Sequence, residues 1–505
     1  MIKAFASYTE NNHGGRVIVL FLLFLLALYN FYIMGITGFA LVCMIPAGLI
    51  FLGLATKHQE ALFWFIFTMN YFVMGLQRYG YIPFPITAVT LAPQLLLLMS
   101  FIIVPRPESK NTMFTPMLLG LLLWTSYLTT QLFNQTCGLP ISIPNWLQNM
   151  NFFSFYFIIA YVLINKMVNT PESIMKFIRL WAYFSIAAAF WAWRQKTFGW
   201  DNSENAWLMG GAMRTHIIGG SIRYFSFFSD AANWGCNAGS SAVAFWIVFL
   251  TAKLRKDKIL FGLAGAITTY GMFTSGTRSG LMCFMVGLAL YIFLSKSVKL
   301  AMPVIIVGGL FVFILAGTKI GHGNMLIRRM RSAFNTEDAS LNTRDINKES
   351  LKKYLKDAPF GMGINIDEGS IPAFNKFKVV YETSNDSTYV FFWQRTGIVG
   401  VYVFAFMNIL ILSGGCFIVL TRLRTKSCRG IASGFTCAFL AIQAGGYANH
   451  ILLQYPNLIL FYGGMAIVYL LPSIESDFEA YENKEFEKQE ERKRLKLEKK
   501  KQSRV

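Results

Sequence analysis

Charged residues are scarce in this chain. Only 14% of its 505 residues are Asp, Glu, Lys or Arg, whereas an ordinary soluble protein carries roughly 25%. Hydrophobic residues make up 54% of the sequence, and apolar runs of about 18 residues recur along it. The composition therefore excludes a typical soluble protein and indicates an integral membrane protein.

The sequence also lacks the motifs of nucleotide and metal chemistry. It contains no P-loop, no Rossmann fingerprint, no HExxH and no Ser-His-Asp order. Its seven cysteines form no CxxC pair and most lie in or beside apolar runs, which is typical of small packing residues. We therefore expect no cofactor, no metal ion and no nucleotide-dependent step.

Acidic residues are too few to balance the basic ones, and the formal net charge is +20. In a soluble protein this excess would suggest nucleic acid as a partner. In a membrane protein, lysine and arginine accumulate in the cytoplasmic loops. The expected partner is membrane lipid rather than nucleic acid.

The apolar runs predict an all-α polytopic membrane protein with about fourteen transmembrane helices. No small-residue cleavage site follows the first run, so it is predicted to be a retained span rather than a signal peptide. The predicted spans cover residues 17–33, 36–54, 61–76, 86–104, 116–133, 152–167, 175–193, 231–251, 259–273, 281–294, 300–316, 388–412, 431–448 and 456–471.

These spans divide the chain into four predicted parts. Residues 1–318 hold helices one to eleven and a smaller outer loop at 195–230. Residues 319–387 form one large outer loop between the eleventh and twelfth helices. Residues 388–472 hold the last three helices, and residues 473–505 form a charged tail.

Orientation follows from the basic residues in short linkers. The tail is almost entirely charged and contains the run Lys499-Lys500-Lys501, so it is predicted to stay in the cytoplasm. Counting spans backwards from the tail places every short basic linker on that same side. Both termini are therefore predicted to be cytoplasmic.

Several arginines fall on the predicted outer face, where topology does not explain them: Arg194, Arg214, Arg223, Arg278 and Arg344. They require acidic partners or an anionic ligand. Arg278 lies in a turn of small residues, 275–280, that leaves room for a diphosphate at its planar guanidinium. The alternatives are snorkelling to lipid headgroups for Arg278 and a loop salt bridge for Arg344. Arg344 is predicted to lie just before an amphipathic helix at 346–355.

Asp386 is the best acid–base candidate because it lies where the large loop re-enters the membrane. It would deprotonate a sugar hydroxyl as a general base. A second interpretation is a carboxylate that caps the following helix or lies in its first turn. His216, His322 and His450 also lie on or near the outer face and are alternative bases.

Four segments together resemble the O-antigen ligase and O-antigen polymerase superfamily of bacterial envelope glycosyltransferases. They are an arginine, aromatic and asparagine segment (223–233), a small-Arg-small turn (275–280), Arg344 followed by Pro359-Phe-Gly-Met-Gly363, and the loop exit 385–389 with Gly397 and Gly400 after it. No single segment is specific, but their order and spacing match the predicted topology. The resemblance covers roughly residues 194–412.

The resemblance implies an enzyme of the bacterial inner membrane. It would transfer a glycan from undecaprenyl diphosphate to a glycan or lipid acceptor on the periplasmic face, without a cofactor. Arg223, Arg278 and Arg344 would bind the diphosphate, and Asp386 and Arg278 would be catalytic.

Asp386 also bears on the choice within the superfamily. Ligases of the superfamily usually carry a histidine at the loop exit, and an aspartate there resembles the polymerase branch. We therefore expect a polymerase of lipid-linked repeat units, with a ligase acting on a lipid A core or a protein as the alternative. A transporter or flippase of an anionic envelope lipid is the alternative of another class. It is disfavoured because the sequence shows no internal repeat and few intramembrane charges apart from Arg395, which lies in the helix after the large loop.

Overall fold

The computed structural model describes most of the chain after residue 47. The described ranges are 48–80, 86–106, 114–218, 220–296, 298–321, 339–384 and 387–502, with isolated positions within 24–32 and 323–331. Asp386 and His322 lie outside the described residues. Arg344 is described as part of the backbone only.

The described chain is almost entirely helical. Its helices are α1 (Gly48–Lys57), α2 (Gln59–Tyr79), α3 (Ile86–Ile103), α4 (Pro116–Thr130), α5 (Ile143–Met150), α6 (Tyr156–Met167), α7 (Pro171–Phe198), α8 (Asn202–Trp207), α9 (Met213–His216), α10 (Ala231–Thr251), α11 (Arg255–Thr274), α12 (Arg278–Leu294), α13 (Val298–Gly317), α14 (Ala339–Leu355), α15 (Lys376–Glu382), α16 (Thr388–Phe417), α17 (Lys426–Ala448) and α18 (Gly463–Gln502). Strands β1 (Ile217–Ile218) and β2 (Ser221–Ile222) pair antiparallel.

The helices agree with the predicted all-α membrane architecture. Six helical segments of the described chain are long and apolar enough to cross a membrane: Ile143–Met167, Pro171–Phe198, Ala231–Thr251, Thr388–Arg422, Lys426–Ala448 and Leu458–Leu495. Helices also overlap each of the last twelve predicted spans. The first predicted span lies almost wholly outside the described residues, so the total of about fourteen remains a prediction.

The chain forms two compact units, Met1–Ile66 with Leu91–Arg106, and Phe67–Thr90 with Pro107–Val505. Within the first unit, the buried Gln59 amide donates to the carbonyl oxygens of Ser100 (3.3 Å) and Val104 (3.0 Å). Arg106 Nε donates to Gln59 Oε1 at 3.1 Å. These bonds satisfy a buried amide, which would otherwise cost free energy.

The centre of the second unit is built by α10, α11, α12 and α17, which pack on one another. Small residues allow α10 and α12 to approach closely. A Cβ added at Gly280 would lie 2.6 Å from the carbonyl oxygen of Gly235, closer than real Cβ contacts come. Such small-residue contacts are the usual way in which helices pack inside a membrane.

The described part of the large loop, residues 339–384, has a hydrophobic core of its own. Leu351, Met362 and Phe377 are buried in it together with Cys137 from the α4–α5 connection. Helix α14 begins at Ala339, whereas the sequence predicted a helix only from Ile346. Arg344 therefore lies inside this helix, and the prediction that it precedes the helix is wrong.

Candidate functional site

The segment that leads into α10 is held by its own polar groups. Asp230 Oδ1 accepts hydrogen bonds from the backbone N–H groups of Ala232 (2.7 Å) and Asn233 (2.9 Å), so Asp230 caps the helix. A carboxylate is favourable at this end because the helix dipole is positive there. Asp230 is thus already engaged by the backbone.

Arg78 clamps the same segment from the end of α2. Its guanidinium lies 4.3 Å from the ring centroids of both Trp207 and Phe225. It donates to the carbonyl oxygens of Ser226 (3.0 Å) and Phe228 (2.7 Å). Burial lowers the pKa of Arg78 to about 10, so it remains a cation at neutral pH. The clamp fixes the backbone that follows Arg223.

The turn that carries Arg278 lies against the start of α10. Ser275 Oγ and Thr277 Oγ1 are 2.8 Å apart, and a Cβ added at Gly235 would overlap both side chains. Arg278 is the first residue of α12 and is partly buried. Small residues are needed here because the turn packs so closely against α10 that a larger side chain at Gly235 would overlap it.

A backbone hydrogen bond brings the segments of Arg223 and Arg278 together. Tyr224 N–H donates to Thr274 O at 3.4 Å, which joins the residue after Arg223 to the end of α11. Arg223 itself donates from Nη1 to Thr215 O at 2.8 Å. Two of the arginines predicted to bind diphosphate thus lie on connected segments at one end of the bundle.

The loop exit docks at this same end. Thr388 Oγ1 donates to Asn449 O at 3.1 Å and accepts from Ile451 N–H at 3.2 Å. Asn449 Nδ2 in turn lies 3.9 Å from the Cys236 sulfur of α10. The exit, the 449–457 loop and the start of α10 are therefore neighbours.

Ser387, not Asp386, caps α16. Its hydroxyl oxygen accepts from Tyr389 N–H at 3.2 Å. Asp386 itself lies outside the described residues, one position before this cap. Its assignment as the general base stays a prediction, but the capping role that the sequence also allowed belongs to Ser387.

The large loop is anchored where α16 breaks. Gly397 has φ +69° and ψ −176°, a conformation almost confined to glycine. Two carbonyl oxygens of α16 beside the break accept hydrogen bonds from the loop. Met362 N–H donates to Gln394 O and Gly363 N–H donates to Arg395 O, both at 2.9 Å. The segment 359–363 therefore inserts into the break in the helix.

Arg395 faces the loop at this break. Its Nη2 lies 2.6 Å from Glu368 Oε2, and its guanidinium carbon lies 4.1 Å from the Phe391 ring centroid. The sequence predicted Arg395 to be a charged residue inside a membrane-spanning helix. Its pairing with Glu368 instead makes it part of the loop anchor.

Three of the four sequence segments, 223–233, 275–280 and the loop exit, thus meet at the start of α10, and 359–363 packs against α16. The comparison with known families concerns this part of the chain. Residues 263–405 match the O-Antigen ligase family model. The match confirms the resemblance to the O-antigen ligase and polymerase superfamily. No curated protein matches the chain significantly.

The O-antigen ligase match includes the Arg278 turn, the 359–363 segment and the loop exit. It supports, in general terms, a membrane-bound glycan ligase or polymerase with a lipid-linked glycan and an acceptor as partners. Arg223 and the 449–457 loop lie outside the matched residues. Their place in the site rests on the contacts described above.

From the 449–457 loop, the sequence analysis proposed only His450 as a candidate site residue. Asn457 Nδ2 donates to Asn233 Oδ1 at 2.7 Å, and Asn237 Nδ2 donates to Asn457 Oδ1 at 2.9 Å. All three side chains are almost completely buried. A signal was present, since four polar residues (Asn449, His450, Gln454 and Asn457) interrupt an otherwise apolar stretch.

His450 lies on this loop beside the loop exit. Its ring packs on Phe391 with centroids 4.3 Å apart. Burial, together with the positive charge of Arg395, lowers the pKa of His450 to about 4, and Asp230 opposes this shift. The imidazole is therefore neutral at pH 7, and burial disfavours its protonation there.

We expect the stability of the protein to fall between about pH 6.5 and pH 4 because of His450. An unfolded histidine titrates near 6.5, so in this window the unfolded state binds the proton and the folded state does not. Thermal unfolding in detergent from pH 7.5 to pH 4.5 measures this slope. His450→Gln should reduce this slope, whereas the exposed His58→Gln should not. Equal slopes for all three proteins would contradict the assignment.

His216 has a structural role. Its Nδ1 lies 2.8 Å from Ala212 O, and its Nε2 accepts from Ala231 N–H at 3.2 Å. Burial lowers its pKa. Because both ring nitrogens are occupied by the backbone, His216 is not available as the general base.

Arg194 is explained by acidic partners rather than by a ligand. It lies 2.8 Å from the completely buried Glu204 and 3.3 Å from Asp201. Glu204 also accepts from Tyr79 Oη (2.6 Å) and Gln195 Nε2 (2.7 Å). This network fixes the connection between α7 and α10.

Arg194→Ala should therefore destabilise the protein by about 3 kcal/mol, because it leaves the Glu204 carboxylate buried without its cation. Thermal unfolding in detergent measures the loss. Arg214→Ala is the matched control, since Arg214 is exposed. An equal, small effect of both variants would show that Arg194 does not stabilise the fold.

Proposed function

We propose that this protein is a glycosyltransferase of the bacterial inner membrane that polymerises undecaprenyl-diphosphate-linked glycan repeat units on the periplasmic face. The observation that carries the proposal is the meeting of the Arg278 turn, the start of α10 and the loop exit at one end of the bundle. Two of these three segments lie in the stretch that matches the O-antigen ligase family. Both termini would then be cytoplasmic.

The reaction is a displacement at the anomeric carbon of the donor glycan. An acceptor hydroxyl oxygen forms the new glycosidic bond while the bond from the anomeric carbon to the diphosphate oxygen breaks. The hydroxyl proton passes to a base, and polyprenyl diphosphate leaves with the electron pair. The donor is already activated, so the chemistry needs only charge stabilisation and proton removal.

The arginines supply the charge stabilisation in this proposal. Arg278, at the small-residue turn, binds the diphosphate, and its cation offsets the negative charge that grows on the leaving oxygen. Arg223 lies on the connected segment and would bind the same group. Arg344 is proposed as a third contact on the basis of the resemblance alone.

The base would be Asp386, with the polar loop exit holding the acceptor hydroxyl in place. Ser387 and Thr388 fix the backbone directly after Asp386 through their bonds to Tyr389 and to the 449–457 loop. A fixed backbone limits the positions that the carboxylate can reach, which favours a defined geometry for proton transfer.

A ligase is the second candidate function. The matched family model is described as O-antigen ligase, and a neutral histidine, His450, packs beside the loop exit on Phe391. The protein would then transfer finished glycan to a lipid A core or a protein. The pairing of Arg395 with Glu368 weakens the transporter alternative, because a loop carboxylate already compensates this charge inside the predicted span.

The glycan profile of a deletion strain tests the proposal. A gel of lipid-linked and surface glycan reports chain length directly. Single repeat units in the deletion strain, restored to long chains by the wild type but not by Asp386→Ala, support a polymerase. Long lipid-linked chains that stay unattached indicate the ligase, and an unchanged ladder would contradict the glycosyltransferase assignment.

A further inference from the structure

A recess lies at the other end of the bundle from the candidate site. Helices α10 and α12 begin at the site and end at this recess, and α17 begins here and ends at the site. Thr251, Tyr291, Ser295, Lys426, Arg429 and Ser433 line it. The recess holds about 260 Å³ of open space, counting the part open to solvent.

Positive charge collects at this end. Lys426 and Arg429 stand one turn apart on α17, where Lys426 is exposed and Arg429 partly buried. No carboxylate is among the residues that line the recess. Carboxylates of α18 lie nearby. Glu475 accepts from the backbone N–H groups of Arg424 (2.8 Å) and Thr425 (2.6 Å), Glu482 hydrogen-bonds Ser427, and Glu479 lies close to Cys428.

Tyr291 provides a separate observation that points to a ligand. It lines the recess, only 2% of its surface is exposed, and its hydroxyl has no hydrogen-bond partner within the part of the chain that the structure describes. Buried hydroxyl groups are normally paired, because an unmade hydrogen bond costs free energy. A bound acceptor would supply the missing partner.

We propose that this recess binds a phosphate group, supplied by the headgroup of an anionic lipid in the adjacent leaflet. Arg429 and Lys426 would hold the charge, and Tyr291 would donate a hydrogen bond directly or through one water. The proposal does not depend on the glycosyltransferase function.

The location supports lipid as the source of the phosphate. The recess lies among the basic linkers that the sequence predicts to be cytoplasmic, where anionic headgroups attract lysine and arginine. Lys296 Nζ bonds Leu420 O, and Lys256 pairs with Glu485 of α18 at 2.9 Å. These contacts bring the basic linkers 253–258, 296–299 and 422–429 and the charged tail to the same end.

Binding to the purified full-length protein in detergent tests the proposal, with short-chain phosphatidylglycerol and inorganic phosphate as separate probes. Arg429→Gln should weaken phosphatidylglycerol binding about tenfold through the loss of a charged hydrogen bond. Tyr291→Phe should weaken it about threefold through the loss of a neutral one. Arg424→Gln, on the same basic end but outside the recess lining, should change it less than about twofold.

The outcomes separate the sources of the ligand. Tighter binding of phosphatidylglycerol than of inorganic phosphate supports the lipid headgroup, and equal binding supports a site for free phosphate. Equal losses in Arg429→Gln and Arg424→Gln would overturn the proposal, because they indicate attraction by general surface charge. An unchanged affinity of Tyr291→Phe would also overturn it, since this variant keeps the ring and should fold at least as stably as the wild type.

Discussion

We expect Arg278→Ala to lower the turnover of lipid-linked donor by about 10²–10³-fold, because the proposed charge that stabilises the leaving group would be lost. The residue opens α12 at the small-residue turn, and that turn is fixed by the contact of Ser275 and Thr277 with Gly235. The variant should still fold, since Ser275, Thr277 and Gly235 pack the turn against α10 and are unchanged in it. Release of polyprenyl diphosphate by protein in liposomes measures the effect.

Two further variants make the Arg278 result specific. Arg278→Lys keeps the charge but not the planar fork, and we expect partial activity. Arg214→Ala removes an exposed arginine from the same face and should leave turnover nearly unchanged. A fall in turnover with Arg214→Ala equal to that with Arg278→Ala would indicate that only the overall positive charge matters.

Gly397→Ala should release the large loop from α16 and abolish activity. The residue adopts φ +69° and ψ −176°, and a Cβ there would overlap the backbone of Pro359 and Gly361. Strain and overlap together cost about 3 kcal/mol or more. Limited proteolysis of the loop, measured beside turnover, should show faster cleavage in the variant.

Gly309→Ala is the control for this substitution. Gly309 lies in α13 with no atom within 4 Å of an added Cβ, so alanine should be neutral or slightly stabilising there. If Gly397→Ala is cleaved at the wild-type rate and retains turnover, the loop does not depend on the break in α16.

The sequence was sufficient to predict an all-α membrane protein and apolar segments that the described helices overlap, because apolar length is a local property of the chain. It was also sufficient to identify the Arg278 turn, where consecutive small residues flank one arginine. The sequence did not predict the start of helix α14 because residues 339–345 are mostly polar. Apolar periodicity therefore gave no signal over the first two turns of that helix.

Other features depend on contacts between distant residues and could not be predicted in this way. Gly397 looks like an ordinary packing glycine in an apolar helix, and only the inserted 359–363 segment shows why the helix breaks there. Asn457 acquires its role from Asn233 and Asn237, more than 200 positions away. The ion pair between Arg194 and Glu204 could have been predicted from the sequence, since the two residues are only ten positions apart.

The most direct measurement is the reaction of the purified protein in liposomes with a polyprenyl-diphosphate-linked repeat unit as the only substrate. The proposed function predicts that polyprenyl diphosphate is released and that glycan of two or more units appears on the lipid, with Arg278→Ala inactive. Release that requires an added lipid A core or protein acceptor would favour the ligase. No release under any condition, from protein that folds and binds the donor, would contradict the glycosyltransferase assignment.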